Sequence, residues 1–343
     1  MAPRYKTINI PRDKSNDATA GLMICFMIVG HALLWSNIHD SQLFSFLRRM
    51  LFFFMAFFFY KSGMFYKPIE LKKQLSKKTK TLMIPFFAYA MFGEIVRWIR
   101  MYFQEGDTNL YHWFIHPIIS FVGRGGPTGN VPLWFLFALF LTTLVISIID
   151  NCRLHRWVLF VVALGVSIGR TIVNEQMIPP IVFELSNGIL YYMLGMLDGK
   201  LTKRHVLLFA ALYVIIVICC PSYVEFRTGR LAYGSWLLWL LSSTAGIVTF
   251  SWLFKLKVLA NPILCAIGRN SLHIFAFHWI LFDLVCLVFQ YQIHEEGRVF
   301  GEMFSKVPDM RLFWTLVVVT TLIMPIYVYL LKHLNLVCRF CDK

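Results

Sequence analysis

The feature that most constrains this chain is a repetition. Apolar runs of roughly 17 to 25 residues, each long enough to cross a hydrocarbon layer of about 30 Å as one helix, recur about ten times. They fall near 19–36, 44–66, 82–103, 132–149, 157–173, 181–198, 206–220, 235–254, 270–290 and 312–333. With 58% hydrophobic residues and only 15% charged ones, the chain holds far more apolar surface than one soluble core needs. The expectation is an all-α polytopic helix bundle with about ten transmembrane helices. No fixed repeat, Gly/Ser linker or low-complexity tract divides it, so residues 1–343 read as one domain: a tail over 1–18, a membrane bundle over 19–333 and a tail over 334–343. A polar segment precedes the first run, no small-residue cleavage site follows His31 and more spans come after, so that run reads as a retained span rather than a signal peptide.

The net charge of +15 raises the question of nucleic acid, and the position of the cations answers it. The N-terminal segment and those around 67–80, 153–156, 200–204, 255–269 and 332–343 hold twenty-one Lys and Arg between them. The alternating segments hold six: Arg124, Arg227, Arg230, Arg298, Lys306 and Arg311. A basic patch for DNA does not alternate with span parity, whereas the positive-inside rule does, and it puts both termini in the cytoplasm. The partner implied is a lipid bilayer, with no nucleic acid and no protein partner indicated. The setting is the cell's cytoplasmic (inner) membrane, crossed many times.

Three features are read as structural. Most of the eight cysteines lie within spans as small apolar residues, and the single CxxC at Cys338 and Cys341 lacks the second pair that a zinc site needs, so no metal is expected. "GRGGPTGN" (Gly123 to Asn130) has no GK[ST] ending and no preceding strand, which makes it a flexible outer loop rather than a phosphate loop. The aromatic "LFFFMAFFFY" from Leu51 reads mostly as lipid-facing and packing surface, not as a platform for sugar rings.

Ionisable side chains inside spans are costly and mark functional candidates. At about 1.5 Å of rise per residue from residue 19, His31 falls near the membrane midplane, and His278 lies at a comparable depth in the ninth span. Both fit either a functional role or an interhelical hydrogen bond. Arg48 and Arg49 enter the second span from outside, and a helix turns adjacent residues about 100° apart, so one of them faces inward. Arg97, Arg100 and Arg170 read as snorkelling to the outer headgroups and Lys61 to the inner surface; Glu94 lies toward an outer end.

These spans also carry short patterns in a fixed order, and with them the chain resembles the acyltransferase 3 family of membrane acyltransferases. Asp17, Gly21 and His31 in "DATAGLMICFMIVGH" match its first-span pattern of Asp, a basic residue with Gly, and an apolar run ending in His. Met55, Phe58, Phe59, Ser62 and Gly63 match a second-span pattern, and "KKTKTLMIPFF" from Lys77 resembles a basic pair before the third span. "VPLWFLFAL", with Trp134, is similar to the fourth span, and "GRNSLHIFAFH" resembles a Gly-x-x-Ser-Leu segment with Ser271 and a following His278. The chain departs from the family at Ala20, where a cation is usual, at Ala56 in place of Pro, at Lys61 in place of an apolar residue, and in having lysines for the basic pair.

The resemblance implies an O-acyltransferase that moves an acyl group, usually acetyl, from cytoplasmic acyl-coenzyme A to a hydroxyl of a sugar, with a cell-surface polysaccharide or glycan as carbohydrate acceptor and acetyl-CoA as co-substrate. A sugar hydroxyl is a poor nucleophile at neutral pH, and an imidazole is able to take its proton. His31 is the expected base. Asp17, Arg48, Arg49, Ser62, Trp134, Ser271 and His278 are supporting or substrate-binding candidates, with His278 open between orienting His31, binding the acceptor and bracing helices. Lys77 and Lys80 fit the phosphates of coenzyme A, and plain topology or anionic lipid explains the basic loop as well. A transporter or flippase of a polysaccharide precursor or small solute is the alternative. It too needs intramembrane His and Arg, but would more often have broken helices and duplicated halves, which the sequence does not display.

Overall fold

The structure is a computed structural model. It describes residues 14–38, 50–51, 53–169, 179–197, 201–219, 224–225, 230–231, 236–256, 259, 261–296, 302–305 and 307–333. Arg48, Arg49, Arg170 and the CxxC at Cys338 and Cys341 lie outside these residues.

The described residues are overwhelmingly helical. The helices are α1 (Lys14–Trp35), α2 (Phe54–Met64), α3 (Leu71–Lys78), α4 (Ile84–Glu105), α5 (His116–Arg124), α6 (Trp134–Asn151), α7 (Arg156–Gly169), α8 (Pro180–Gly195), α9 (Lys203–Cys219), α10 (Trp236–Leu253), α11 (Pro262–Arg269), α12 (Ser271–Phe289) and α13 (Met310–His333). Two antiparallel ribbons complete them, Val224–Glu225 with Arg230–Leu231 and His294–Glu296 with Glu302–Phe304. Among the described residues, five helical runs are long and apolar enough to cross a membrane: Lys14–Trp35, Leu71–Glu105, Tyr111–Asn151, Ser271–Phe289 and Met310–Leu331. Arg156–Gly169 and Leu237–Leu253 are shorter apolar helices.

Helix ends follow local chemistry. Pro85 sits in the first turn of α4, which stops where Gly106 takes a left-handed φ of 63°. Asn261 caps α11 by accepting from the Ile263 amide at 2.7 Å, just before Pro262. The first helix begins at Lys14, five residues before the apolar run, and the polar residues of its first turns, Ser15, Asn16 and Asp17, are buried. They are buried because α11 lies directly on them.

Two pairs of glycines set the closest helix contacts. A Cβ on Gly21 would stand 2.1 Å from the Leu264 carbonyl oxygen, and one on Gly268 would stand 1.8 Å from that of Asp17, so α1 and α11 meet backbone to backbone. Gly63 against Tyr192 and Gly195 against Tyr60 do the same for α2 and α8. The aromatic run on α2 fills the space this leaves. Phe53, Phe57 and Phe59 are 3%, 0% and 0% exposed, so most of that stretch is interior packing, not lipid-facing surface.

The structure corrects two further expectations. The glycine-rich stretch is no flexible loop: Thr128–Leu133 forms a tight 3₁₀ turn inside the bundle, with Thr128 and Asn130 buried and the Asn130 amide donating to the Ala276 carbonyl at 2.8 Å. Helices also change form where the sequence displays no signal. A π-helical turn, Thr79–Met83, joins α3 to α4, and Asn270 separates α11 from α12.

Candidate active site

Asp17, Ile24 and His31 are seven residues apart on α1, which on a helix leaves them within about 40° of one face and separates each from the next by roughly 10 Å. That face looks across to α12, and the two histidines meet there. His31 Nδ1 and His278 Nε2 are 2.8 Å apart, with ring planes 8° from parallel and centroids 5.1 Å apart, so the rings lie edge to edge along one N···N line. Trp279 closes one side, its ring 5.3 Å from that of His31 and perpendicular to it.

The hydrogen-bond chain fixes which nitrogen carries each proton. His278 Nδ1 is 2.6 Å from the Phe275 carbonyl oxygen, and a carbonyl only accepts, so Nδ1 bears the hydrogen. In the neutral ring, His278 Nε2 is then an acceptor, and it takes the Nδ1 hydrogen of His31. That leaves His31 Nε2 with a bare lone pair. No described group bonds to it, and His31 retains exposed surface while His278 is fully buried. The arrangement therefore presents one oriented proton acceptor held by a fixed partner.

A cavity of about 830 Å³ lies along the same face. Exposed Lys67 and Lys77, with half-buried Lys78 and Tyr66, line one end; Ile24, Phe135, Leu139 and Phe275, all buried, line the other. Asp17, Lys61, Ser62 and Ser271 line it as well. Exposed Phe65 and Ile69 and buried Asn16 and Gln74 line it too, so the exposed part holds lysines among apolar side chains, and Phe275, whose carbonyl holds His278, lies in the buried part. Beside the exposed end, Arg156 grips Asp150 through two hydrogen bonds of 2.6 and 2.7 Å, and Tyr66 donates to the same carboxylate at 2.8 Å.

The residues singled out in the sequence separate into three groups. Asp17, Ser62, Ser271 and Lys77 share the cavity, and His31 and His278 form the pair beyond it. Trp134 packs on Phe135 at the start of α6 without lining the cavity, and Lys80 is exposed and does not line it either. Lys61 does not snorkel to the surface: its ammonium lies 3.7 Å from Asp17 and donates to the Asn16 carbonyl at 3.2 Å. Lys78, Trp279 and the Phe275 carbonyl were not singled out. The 17–24–31 spacing is the signal that points toward them, since it runs one face of α1 past all three.

Arg97 and Arg100 overturn the snorkelling expectation most clearly. They are 1% and 0% exposed, because carboxylates wait for them inside the bundle. Arg97 is 3.5 Å from Glu94, which also accepts from the Thr128 hydroxyl and the Gly129 amide at 2.9 and 2.7 Å. Arg100 binds Asp283 of α12 at 2.7 Å and Glu105 at 3.1 Å.

With this geometry in place, comparison with known families gives one result: the family described as acyltransferase domain matches residues 17–330, nearly the whole chain, and the chain belongs to it. No curated protein and no solved structure matches the chain.

Proposed function

We propose that this multi-pass membrane acyltransferase is an O-acetyltransferase of the cytoplasmic membrane. It takes the acetyl group of acetyl-CoA at the lysine-rich end of the cavity and passes it to a hydroxyl of a surface polysaccharide or glycan at the histidine pair. The observation that carries the reading is the bare Nε2 of His31, on the same face of α1 as a cavity with lysines in its exposed part and Ile24, Phe135, Leu139 and Phe275 in its buried part. A donor with an anionic head and a long neutral arm suits that arrangement.

In the reaction, His31 Nε2 takes the proton of the acceptor hydroxyl as its oxygen attacks the thioester carbonyl. The C–S bond then breaks, the new ester C–O bond remains, and the imidazolium returns the proton to the departing thiolate, giving CoA-SH. His278 keeps His31 Nδ1–H engaged throughout, so the imidazolium forms with its second proton already hydrogen-bonded. Lys77 and Lys78 supply charge for the phosphates of the donor. Lys80 has no such support from the cavity and fits the positive-inside account of topology. That same rule places both termini in the cytoplasm and supports about ten crossings.

The helix break at Asn270 is a feature that a transporter would share. A transporter can also use an intramembrane histidine as a proton relay, but it moves no acetyl group. Purified protein in liposomes, given radiolabelled acetyl-CoA and a panel of sugar acceptors, separates the two. Acetyl transfer that falls roughly 10² to 10⁴-fold in His31→Gln, with the variant folded, is the expected result. Transfer by the Gln variant at the wild-type rate would remove His31 as the base, and sugar movement with no transfer at all would favour the transporter.

A further inference from the structure

Lys61 stands out among the cavity residues because the chain surrounds it with aromatics. It belongs to "FMAFFFYKSGM" on α2, where a cation is costly unless something uses it. Its side chain is 19% exposed, and that exposure opens on the cavity. Its ammonium lies 3.7 Å from Asp17 and donates to the Asn16 carbonyl at 3.2 Å. Ala20, one turn beyond Asp17 on α1, is fully buried and brings no charge to this region. The cavity as a whole has Lys61, Lys67, Lys77 and Lys78 against the single carboxylate of Asp17, an excess of cations that calls for a polyanion.

We propose that Lys61 is an anion ligand inside the cavity, one that holds a phosphate of the donor deeper than the lysines at the exposed end. This rests on the acyl-CoA reading above.

The test compares two donors on purified protein in detergent: coenzyme A, which carries the phosphates, and S-acetylpantetheine, which carries none. Lys61→Met should weaken coenzyme A binding roughly ten- to a hundredfold, the size of a lost hydrogen bond to a charged group, and leave S-acetylpantetheine unchanged. Lys61→Arg should restore most of the loss. Asp17→Asn separates this from a pair that only braces two helices, since it leaves the cation in place and should bind coenzyme A at least as well as wild type. Unchanged coenzyme A binding by Lys61→Met, equal losses for both donors, or equal losses in Lys61→Met and Asp17→Asn would each overturn the proposal. Where Lys61→Met does not fold, Lys61→Gln takes its place, with the same two donors and the same outcomes. Failure of the wild-type protein to bind coenzyme A would instead remove the donor reading, and this proposal with it.

Discussion

The two ends of the bundle handle charge in opposite ways. At the end where α4 and α12 finish, Arg100, Asp283 and Glu105 meet at 2.7 and 3.1 Å, and Glu94 is engaged by Arg97, Thr128 and Gly129. Both arginines there are essentially inaccessible. At the cavity end, Lys61 and Asp17 are 3.7 Å apart, Lys77 is exposed and His31 keeps a nitrogen free of any described partner. The two arrangements share helices: His278 and Asp283 are five residues apart on α12. An intramembrane charge is therefore no sign of function by itself. Where buried opposite charges meet at hydrogen-bond distance they act as a clamp, and where charges line a cavity they border room for a ligand. Tyr89 adds a third case, joining His273 of α12 at 3.0 Å and Tyr327 of α13 at 2.5 Å, so one histidine of α12 braces helices while another faces His31.

The contrast is easiest to break at the clamp. Arg100→Met leaves the buried Asp283 without its closest cation and should lower unfolding stability by about 3–5 kcal/mol, while Arg100→Met with Asp283→Leu should recover most of that. Denaturation in detergent measures both. A small loss in the single variant would show that the clamp is not a stability element. At the other end the effect should be on rate instead. His278→Leu should slow acetyl transfer roughly ten- to a hundredfold and leave the unfolding transition where it was, because it frees His31 to take the wrong tautomer; a large drop in stability would make His278 a brace. Smaller again, Lys77→Gln should raise KM for acetyl-CoA several-fold with kcat little changed, since a contact remote from the thioester acts alike on ground and transition states. Lys80→Gln should do neither, and an equal KM effect from it would extend the binding surface beyond the cavity.

The smallest effect concerns the link just outside the clamp. Burial raises the Asp107 carboxyl, but the Asn109 amide and His112 outweigh it and hold the group below its ordinary value of 3.8. A depressed carboxylate stabilises the fold above its unfolded value and loses that contribution as pH falls through the folded one. Acidification below about pH 4 should therefore loosen the 107–112 turn, and Asp107→Asn should abolish the response. Hydrogen exchange at the Asn109 amide reads it.

Much of this was legible in the sequence because it is one-dimensional. Apolar run length locates the helices, and seven-residue spacing puts Asp17, Ile24 and His31 on one face. What was hidden depends on partners distant in the chain. Nothing around Arg100 announces that Asp283, 183 residues away, will bury it, and nothing around Gly129 shows that Glu94 will accept its amide hydrogen. Lys61 looked like a surface lysine because its neighbours in sequence are aromatic, whereas its neighbour in space is Asp17. Likewise, His278 acquired a defined relation to His31 only when the Phe275 carbonyl fixed its own proton.

The proposed chemistry turns on a bare Nε2 at His31, and nitrogen-15 NMR of the histidine-labelled protein in lipid reads that atom without reference to any substrate. With His31→Gln used to assign its resonances, the spectrum should show a neutral ring protonated on Nδ1 and unprotonated on Nε2, and a shift toward mixed tautomers in His278→Leu. A neutral His31 protonated on Nε2 in the wild-type protein would contradict this, because that nitrogen would then have no lone pair with which to take a proton.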